Sequence, residues 1–330
     1  MFFKKKRFLP TVVQIEGCSM CNLNCRNCYM REHNFGIVKP GYLKLEDFVS
    51  FLDKNPFIKK IELCWNGEIF LNPDLLDILK VAYERKVVIS FNTVNFNKAS
   101  DEIIEAIVKY KLLQLTVAID GACQETYSKY RRGGNFDTVI NNIKKINEYK
   151  KKYNSILPIM QWQYIVMDTN DSEEEILKAK EIAKSLGCEI YFKKDWIGWK
   201  PINPKPIEKL TGLDYSDVGS AFARRDKKIK RFIPCLSTIL FPAINWDGRF
   251  LMCCCNYFKD VDINVFELGL KKALKHPLVK KTRKMIMGGK ICKNSPCYKC
   301  QFYWNMVKEK NFVAKEDIDR ETFERKYNVF

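Results

Sequence analysis

Between residue 11 and about residue 195, short apolar runs rich in β-branched residues alternate with longer stretches whose apolar positions recur every three or four residues. The short runs, at 11–15, 59–64, 87–91, 113–119, 159–166 and 188–192, predict six strands. Helices are predicted between them. Asn72-Pro73 reads as an N-cap with proline at the first helical position, ahead of an apolar face of Leu75, Leu76, Leu79, Ala82 and Tyr83. Ser100 can cap the next helix, with Ile103, Ile104, Ile107 and Val108 inward, and Ser172 with Glu175 forms a capping box before Ile176, Ala179, Ile182 and Ala183. In the fifth run, Met160, Trp162, Tyr164 and Val166 alternate with Gln161, Gln163 and Ile165, so one face meets helices and the other carries two amides. Six βα units predict a parallel sheet with right-handed crossovers. The expected fold class is α/β, a curved partial (β/α)6 barrel over residues 1–195 with functional groups at the strand ends.

The rhythm breaks at 196–234, where Pro201, Pro204, Pro206 and Pro234 accompany the basic cluster Arg224-Arg-Asp-Lys-Lys-Ile-Lys-Arg231. This stretch reads as a linker. Residues 235–330 form a second, small α+β module with a helical tail, and seven of the fourteen cysteines fall between Cys235 and Cys300.

Hydrophobic residues make up 46% of the 330, enough for a sizeable core, and no apolar run is long enough to span a membrane. The start of the chain has charge but no apolar run with a cleavage site, so it is not a signal peptide. Many cysteines without an export signal point to metal ligation in a reducing compartment, and the expected location is the cytoplasm. The net charge of +18 permits anionic partners, but no nucleic-acid-binding module is recognisable.

The first strand leads into Glu16-Gly-Cys-Ser-Met-Cys-Asn-Leu-Asn-Cys-Arg-Asn-Cys-Tyr29, where Cys21, Cys25 and Cys28 are spaced C-x3-C-x2-C. Four thiolates normally hold an iron–sulfur cluster. Three in one loop leave one iron of a [4Fe–4S] cube open to a small molecule, which suits catalysis. A zinc half-site is the plain alternative, but zinc prefers a second cysteine pair or histidines, and the chain has only His33 and His276.

The spacing resembles the radical S-adenosylmethionine (radical SAM) enzymes. The resemblance implies a [4Fe–4S] cluster on Cys21, Cys25 and Cys28 whose free iron chelates SAM, reductive cleavage of SAM to a 5′-deoxyadenosyl radical, and abstraction of a substrate hydrogen. The family usually has an aromatic residue where this chain has Asn27. Asn66-Gly67-Glu68-Ile69, after the second strand, is similar to the family's Gly-Gly-Glu-Pro motif, which contacts the SAM amino group; a carboxylate suits an ammonium, and glycine allows close backbone approach. Asn92 ends the third strand. Ala118-Ile119-Asp120-Gly121 is similar to the Ser-Ile-Asp-Gly segment, with Ala118 in place of the serine, and Asn92 and Asp120 are expected to face the barrel mouth. In Tyr127-Ser-Lys-Tyr-Arg-Arg-Gly-Gly134, the resemblance assigns either Arg131 or Arg132 to the SAM carboxylate, for which a guanidinium fork is suited.

In the second module, Cys235-x12-Gly248-x4-Cys253 resembles the opening of the SPASM domain, which holds auxiliary clusters in many of these enzymes. The pattern ends with Cys292, Cys297 and Cys300. The resemblance implies a shortened SPASM-like domain with one auxiliary [4Fe–4S] cluster on Cys235, Cys253, Cys297 and Cys300; zinc remains the alternative for four thiolates. Cys254, Cys255 and Cys292 are spare, and Cys254 and Cys255 are candidate hydrogen-atom donors. The expected reaction is oxidation or epimerisation of a sugar, aminocyclitol or related small molecule. Modification of a peptide or protein is the alternative, disfavoured because only 20 residues precede Cys21 and leave no room for a leader-binding domain; RNA modification or a non-catalytic cluster protein follow behind. The expected partners are a reductant such as flavodoxin or ferredoxin and a small-molecule or peptide substrate, which the positive charge permits to be anionic.

Overall fold

In the computed structural model, residues 9–28, 39–195, 199–215, 234–254, 261–314 and 318 are described. The basic cluster 224–231 and Cys255 lie outside them. All six expected strands are present: β1 (Val12–Ile15), β2 (Lys60–Leu63), β3 (Val88–Val94), β4 (Gln114–Ala118), β5 (Ile159–Val166) and β6 (Glu189–Lys194). They pair in parallel in chain order, with a register shift between Phe91 and Val94. Between them run α1 (Leu45–Lys54), α2 (Leu75–Glu84), α3 (Asp101–Lys109), α4 (Gln124–Tyr130), α5 (Phe136–Lys152) and α6 (Glu173–Ser185). Sequential parallel order with right-handed crossovers puts these helices on one face of the sheet. The residues facing them, among them Val13, Ile61, Phe91, Val117 and Trp162, build the core. The opposite parity lines the lumen.

Local chemistry explains the helix starts. Ser100 accepts the N–H of Ile103 at 3.3 Å and Asn135 that of Thr138 at 2.7 Å. Ser172 accepts the N–H of Glu175 at 3.1 Å, but the capping box is only half made: Glu175 accepts instead from the N–H of Ala122 at 2.6 Å. Asn72 is not the cap of α2, which starts at Leu75; its amide donates to the carbonyls of Gly17 and Leu43, both at 2.9 Å, and so ties the end of β1 to the start of α1. Tyr83, expected inward, is exposed.

The stretch between the six-stranded barrel and the cysteine-rich module is not plain coil. Inside 196–234 lies α7 (Pro204–Thr211), with Pro204 in its first turn and Gly212 as a left-handed C-cap; Ile207 and Tyr215 join the barrel core. Prolines in a first turn need no N–H partner, so the run that looks like a linker starts a helix. Nor is the C-terminal module set apart. After the short α8 (Ser237–Leu240), β7 (Ala243–Ile244) pairs in parallel with β1 and becomes the seventh strand. Phe250, Val265 and Phe266 enter the barrel core, with Phe266 edge-on to Phe51 of α1 at 5.9 Å. The elements α9 (Val265–Leu268), α10 (Leu270–Ala273), α11 (Pro277–Ile286) and α12 (Gln301–Lys308) follow. Only a smaller cluster, including Cys235, Ile239, Met285, Cys297, Tyr303 and Met306, forms a core of its own, with Val12 as its link to the barrel. Among the described residues, no helix is long and apolar enough to cross a membrane.

Candidate cofactor site

The cysteine loop after β1 is held at both ends by backbone. At its start, the N–H of Ser19 donates to the carbonyl of Gly41 at 2.9 Å, and that of Leu43 to Gly17 at 3.0 Å. At its far side, Asn24 and Arg26 donate to the carbonyls of Arg132 (2.8 Å) and Tyr130 (3.1 Å), at the end of α4. The sequence segment with the two arginines therefore clips the loop across the barrel mouth. Asn27, the departure from the aromatic pattern, has φ of +56°, a left-handed conformation that asparagine tolerates better than an aromatic residue.

Cys21, Cys25 and Cys28 are electrostatic neighbours. Burial pushes the Cys21 thiol up to about 11, with Glu68, Cys25 and Cys28 adding to it; the residue is exposed as a whole, but its thiol faces protein. Burial also raises Cys25, against the pull of the Arg131 guanidinium. Three donors point at these sulfurs: the N–H of Leu23 lies 3.4 Å and Asn95 Nδ2 3.6 Å from Cys21 Sγ, and Arg131 Nη1 lies 3.6 Å from Cys25 Sγ. Asn95 carries no motif, and sequence reasoning missed it. Its backbone N–H also donates to Glu68 Oε2 at 2.6 Å and its amide to Asn22 at 3.0 Å.

Gly67 sits against the loop so closely that a Cβ there would lie 1.9 Å from the Cys18 carbonyl oxygen and 2.7 Å from that of Met20. Only glycine fits this approach. The N–H of Glu68 donates to Met20 at 2.8 Å. The Glu68 side chain is fully buried; its oxygens accept the N–H groups of Asn95 and Phe70, and burial raises it to about 7 against those bonds. It joins the ends of β2 and β3. Ile69, in place of the family's proline, is fully buried over Gly17. Beneath this turn lies Glu16, also unflagged by the sequence. It is fully buried, accepts the N–H of Asn66 at 3.0 Å, and is raised by burial to about 8 against backbone donors from Asn66, Trp65, Cys18 and Gly67.

Of the two arginines, Arg131 faces the cysteine loop and Arg132 is exposed. Arg131 Nε pairs with Asp120 Oδ2 at 2.6 Å. Burial alone would lower the Arg131 pKa, but the Asp120 charge outweighs it and holds the guanidinium charged. Asp120 does not face an open mouth as expected. It is fully buried, and its other oxygen accepts the N–H of Ile165 at 2.6 Å. Asn92 turns into the lumen, donating to Glu62 Oε2 at 2.8 Å.

The lumen wall is polar. Gln14 of β1 donates to Glu62 at 3.1 Å, and Lys60 lies 3.8 Å from the same carboxylate. Thr116 donates to Gln161 at 3.2 Å, while Tyr191 and Lys193 both donate to Gln163 Oε1, at 3.1 and 2.6 Å. Gln161 and Gln163 thus do face the lumen. The buried atoms Gln14 Oε1 and Ser90 Oγ make no hydrogen bond.

In the C-terminal module four thiols are electrostatic neighbours: burial raises Cys235 to about 12, with Cys253 and Cys300 adding to it, and burial raises Cys297, with Cys253, Cys235 and Cys300 adding to it. Cys253 Sγ is 3.3 Å from Ser237 Oγ. Cys300 caps α12, where the N–H groups of Tyr303 and Phe302 partly offset the upward push of burial. Gly248 has φ of +84° in the turn before Phe250, and a Cβ would lie 2.2 Å from Asn264 Oδ1, which explains the motif glycine. Cys254 is half-buried, and Cys292 is half-buried at the edge of this core.

Among the described residues, no group of three or more His, Cys, Asp or Glu closes on a single metal-ion position. A cubane binds each thiolate to a different iron, so its ligands need not converge on one point. Three neighbouring thiols, donors on two of the sulfurs and the glycine approach of Gly67 fit a [4Fe–4S] cluster. Because burial raises the Cys21 and Cys25 thiols, cluster assembly on them releases protons.

The family model described as Radical SAM superfamily matches residues 15–179, from the end of β1 into α6. The chain is 27% identical over 184 residues to the AdoMet-dependent heme synthase of Methanosarcina barkeri (strain Fusaro / DSM 804). That match covers 55% of this chain and 49% of the relative, so the chain spans about half the length of the curated relative it matches. Streptococcus suis SuiB has a similar fold over 93% of this chain and 77% of its own (TM-score 0.62, 16% identity). BtrN, solved with AdoMet and 2-DOIA, is similar over 89% of this chain and 94% of its own (TM-score 0.51, 12% identity). With half of its length matched by the family model and the cysteine loop in place, the chain belongs to the radical SAM superfamily, a family of enzymes that use a [4Fe–4S] cluster and S-adenosylmethionine.

Proposed function

We propose that the chain oxidises or epimerises a small polar molecule, such as a sugar or aminocyclitol, and that Cys235, Cys253, Cys297 and Cys300 hold one auxiliary [4Fe–4S] cluster. The observation that carries the substrate class is the lumen wall. Its inward positions bear Gln14, Lys60, Glu62, Asn92, Gln161 and Gln163, where a packed apolar barrel would carry valine and isoleucine. Two buried oxygens on that wall, on Gln14 and Ser90, lack partners. Hydroxyl and amino groups of a substrate would satisfy them, since buried polar atoms are normally paired.

The bound cluster and SAM supply the hydrogen-abstracting radical. The chain's own residues set its surroundings: Gly67 brings the turn before the 3₁₀ segment Ile69–Leu71 against the cysteine loop, and Arg131 presents its charge beside Cys25. Arg131, rather than Arg132, is the group suited to a SAM carboxylate at the mouth. Complete four-cysteine ligation leaves an auxiliary cluster no open iron, which suits electron transfer. The subject of another SuiB structure is its precursor peptide SuiA, and that of the BtrN complex is 2-DOIA; the polar lumen favours the smaller kind of substrate.

The test is anaerobic reconstitution, reduction with dithionite in the presence of SAM, and measurement of 5′-deoxyadenosine. Iron at about eight per chain is expected for two clusters, falling to about four when Cys297 and Cys300 are replaced by alanine. Turnover of aminocyclitols or sugars, with no turnover of peptides, is the expected outcome. In deuterated solvent, label at the product carbon marks epimerisation and an oxidised unlabelled product marks dehydrogenation. An intact first cluster that yields no 5′-deoxyadenosine would overturn the reading.

A further inference from the structure

The segment 280–310 is unusually basic for its size. It carries eight exposed lysines and Arg283 against a single acid, the exposed Glu309. It is also one physical unit: α11, the loop after it and α12 wrap the small core of Met285, Ile286, Cys297, Tyr303 and Met306. Thr282 of α11 donates to Ser295 at 3.0 Å and so ties the helix to the cysteine loop. Lys280, Lys281 and Lys284 lie at spacings that share one side of α11. Lys290, Lys293 and Lys299 follow on the loop that carries Cys297 and Cys300. None of these six lysines pairs with a carboxylate among the described residues. Uncompensated like charges on one small unit repel one another, so this surface gains from an anionic partner.

Next to this charge is an aromatic group. Trp304 is 37% exposed; its indole N–H donates to the carbonyl of Tyr298 at 2.7 Å, and it packs edge-on to Tyr298 (5.8 Å) and Tyr303 (5.2 Å). Its backbone N–H donates to the carbonyl of Cys300, half-buried at the start of the same helix. An exposed aromatic residue on the same basic unit has the make-up of a docking patch. Its helix starts at Cys300, which with Cys253 makes the two half-buried members of the four-thiol group.

We infer that the 280–310 surface docks an acidic one-electron carrier protein, such as a flavodoxin, beside the Cys235–Cys253–Cys297–Cys300 site. This rests on the proposal that those thiols hold a cluster. The carrier's reduced centre gives up one electron to this protein and is oxidised by one electron; no bond to the carrier forms or breaks. Lysine suits this task. Eight of the nine cations are the flexible, point-charge kind that steers a transient partner, whereas phosphate recognition favours the arginine fork. Redox encounters of this type use small, salt-sensitive interfaces.

The test compares the reconstituted wild-type chain with two triple variants, Lys280→Gln/Lys281→Gln/Lys284→Gln and Lys280→Glu/Lys281→Glu/Lys284→Glu. Binding of an oxidised, acidic flavodoxin is measured against ionic strength, and 5′-deoxyadenosine formation is driven by dithionite or by reduced flavodoxin. Binding should weaken on the order of 10-fold at low salt in the glutamine variant and further in the glutamate variant. The difference should vanish near 0.5 M salt, by the short screening length there. Dithionite-driven cleavage should stay unchanged, and flavodoxin-driven cleavage should fall with binding. Equal flavodoxin affinity in all three proteins overturns the inference, as does RNA binding that the variants lose while flavodoxin binding persists. A wild-type protein with about four irons instead points to failure of the auxiliary-cluster reading, so the two failures are distinct.

Discussion

The Arg131 guanidinium is held between two partners: its Nε is 2.6 Å from Asp120 Oδ2, and its Nη1 is 3.6 Å from Cys25 Sγ. The first pair is nearly closed to solvent, with 12% and 0% side-chain exposure. Removing one partner of a buried pair leaves an uncompensated charge, which costs about 3–5 kcal/mol. Arg131→Ala should therefore destabilise the metal-free protein by that order in urea unfolding. Arg131→Ala/Asp120→Asn should recover much of the loss, and Arg131→Lys should fall between. A loss below about 1 kcal/mol for the alanine variant, typical of surface pairs, would contradict the buried-pair account.

Asn95 is the donor on the other side of the loop. Its amide meets Cys21 and Asn22, and its backbone N–H meets Glu68. Hydrogen bonds to cluster sulfurs raise the reduction potential. Asn95→Ala should shift the cluster potential downward in an EPR-monitored titration and lower SAM cleavage by on the order of 10–100-fold, as loss of such supporting partners does. Unchanged potential with reduced cleavage would mean the residue acts only through the loop backbone.

Gly67 tests the close approach. Alanine would place a methyl 1.9 Å from a carbonyl oxygen of the cysteine loop, and backbone cannot swing aside as a flexible side chain can. Gly67→Ala should sharply reduce iron incorporation at the first site while the auxiliary site still loads, so iron per chain should fall by about half if each cluster holds four irons. Full iron content in that variant would show that the loop can shift to accept the methyl.

The strand pattern and the cysteine spacing were legible because each has a strict period: two along a strand, and fixed offsets in a loop that must present several thiolates. The tie residues were not. Glu16 accepts an N–H from the distant Asn66, and Asn95 donates its own N–H and amide to distant segments; nothing local distinguishes a carboxylate under a turn from one in solvent. The partners of Asp120 are hidden for the same reason. Its position at a strand end suggested an open face, but Arg131 and the N–H of Ile165 occupy both oxygens. A proline-rich run does not announce a helix either, because the same residue that breaks a helix interior suits the first turn of α7.

Glu16 gives a pH prediction with a definite sign. Burial lifts its pKa from an ordinary value of 4.5 to about 8, so the folded state holds the proton longer than the unfolded one. Its contribution to stability is fully present below pH 4.5 and is lost as pH rises to about 8, at about 1.4 kcal/mol per unit. Glu68, raised to about 7, acts in the same direction over a shorter window. In the metal-free protein, Glu16→Gln should thus gain stability relative to wild type as pH increases from 4.5 to 8, read as a growing difference in Tm. A constant difference across that range would mean that Glu16 is ionised in the fold.

Glu62 tests the lumen. Its carboxylate gathers Gln14, Lys60 and Asn92 from three adjacent strands, and the Lys60 ammonium is lowered by burial with Glu62 opposing that shift. Glu62→Gln keeps the volume and an acceptor oxygen but removes the charge. It should leave dithionite-driven 5′-deoxyadenosine formation within about twofold in the absence of substrate, because the Glu62 carboxylate is engaged by Gln14, Lys60 and Asn92 of the lumen wall. With substrate present, KM should rise on the order of 10-fold, the effect of losing one charged hydrogen bond of about 1.5–3 kcal/mol. If SAM cleavage without substrate falls equally, the residue serves the fold of the barrel; if neither quantity changes, the polar wall is a structural lining and the substrate binds elsewhere.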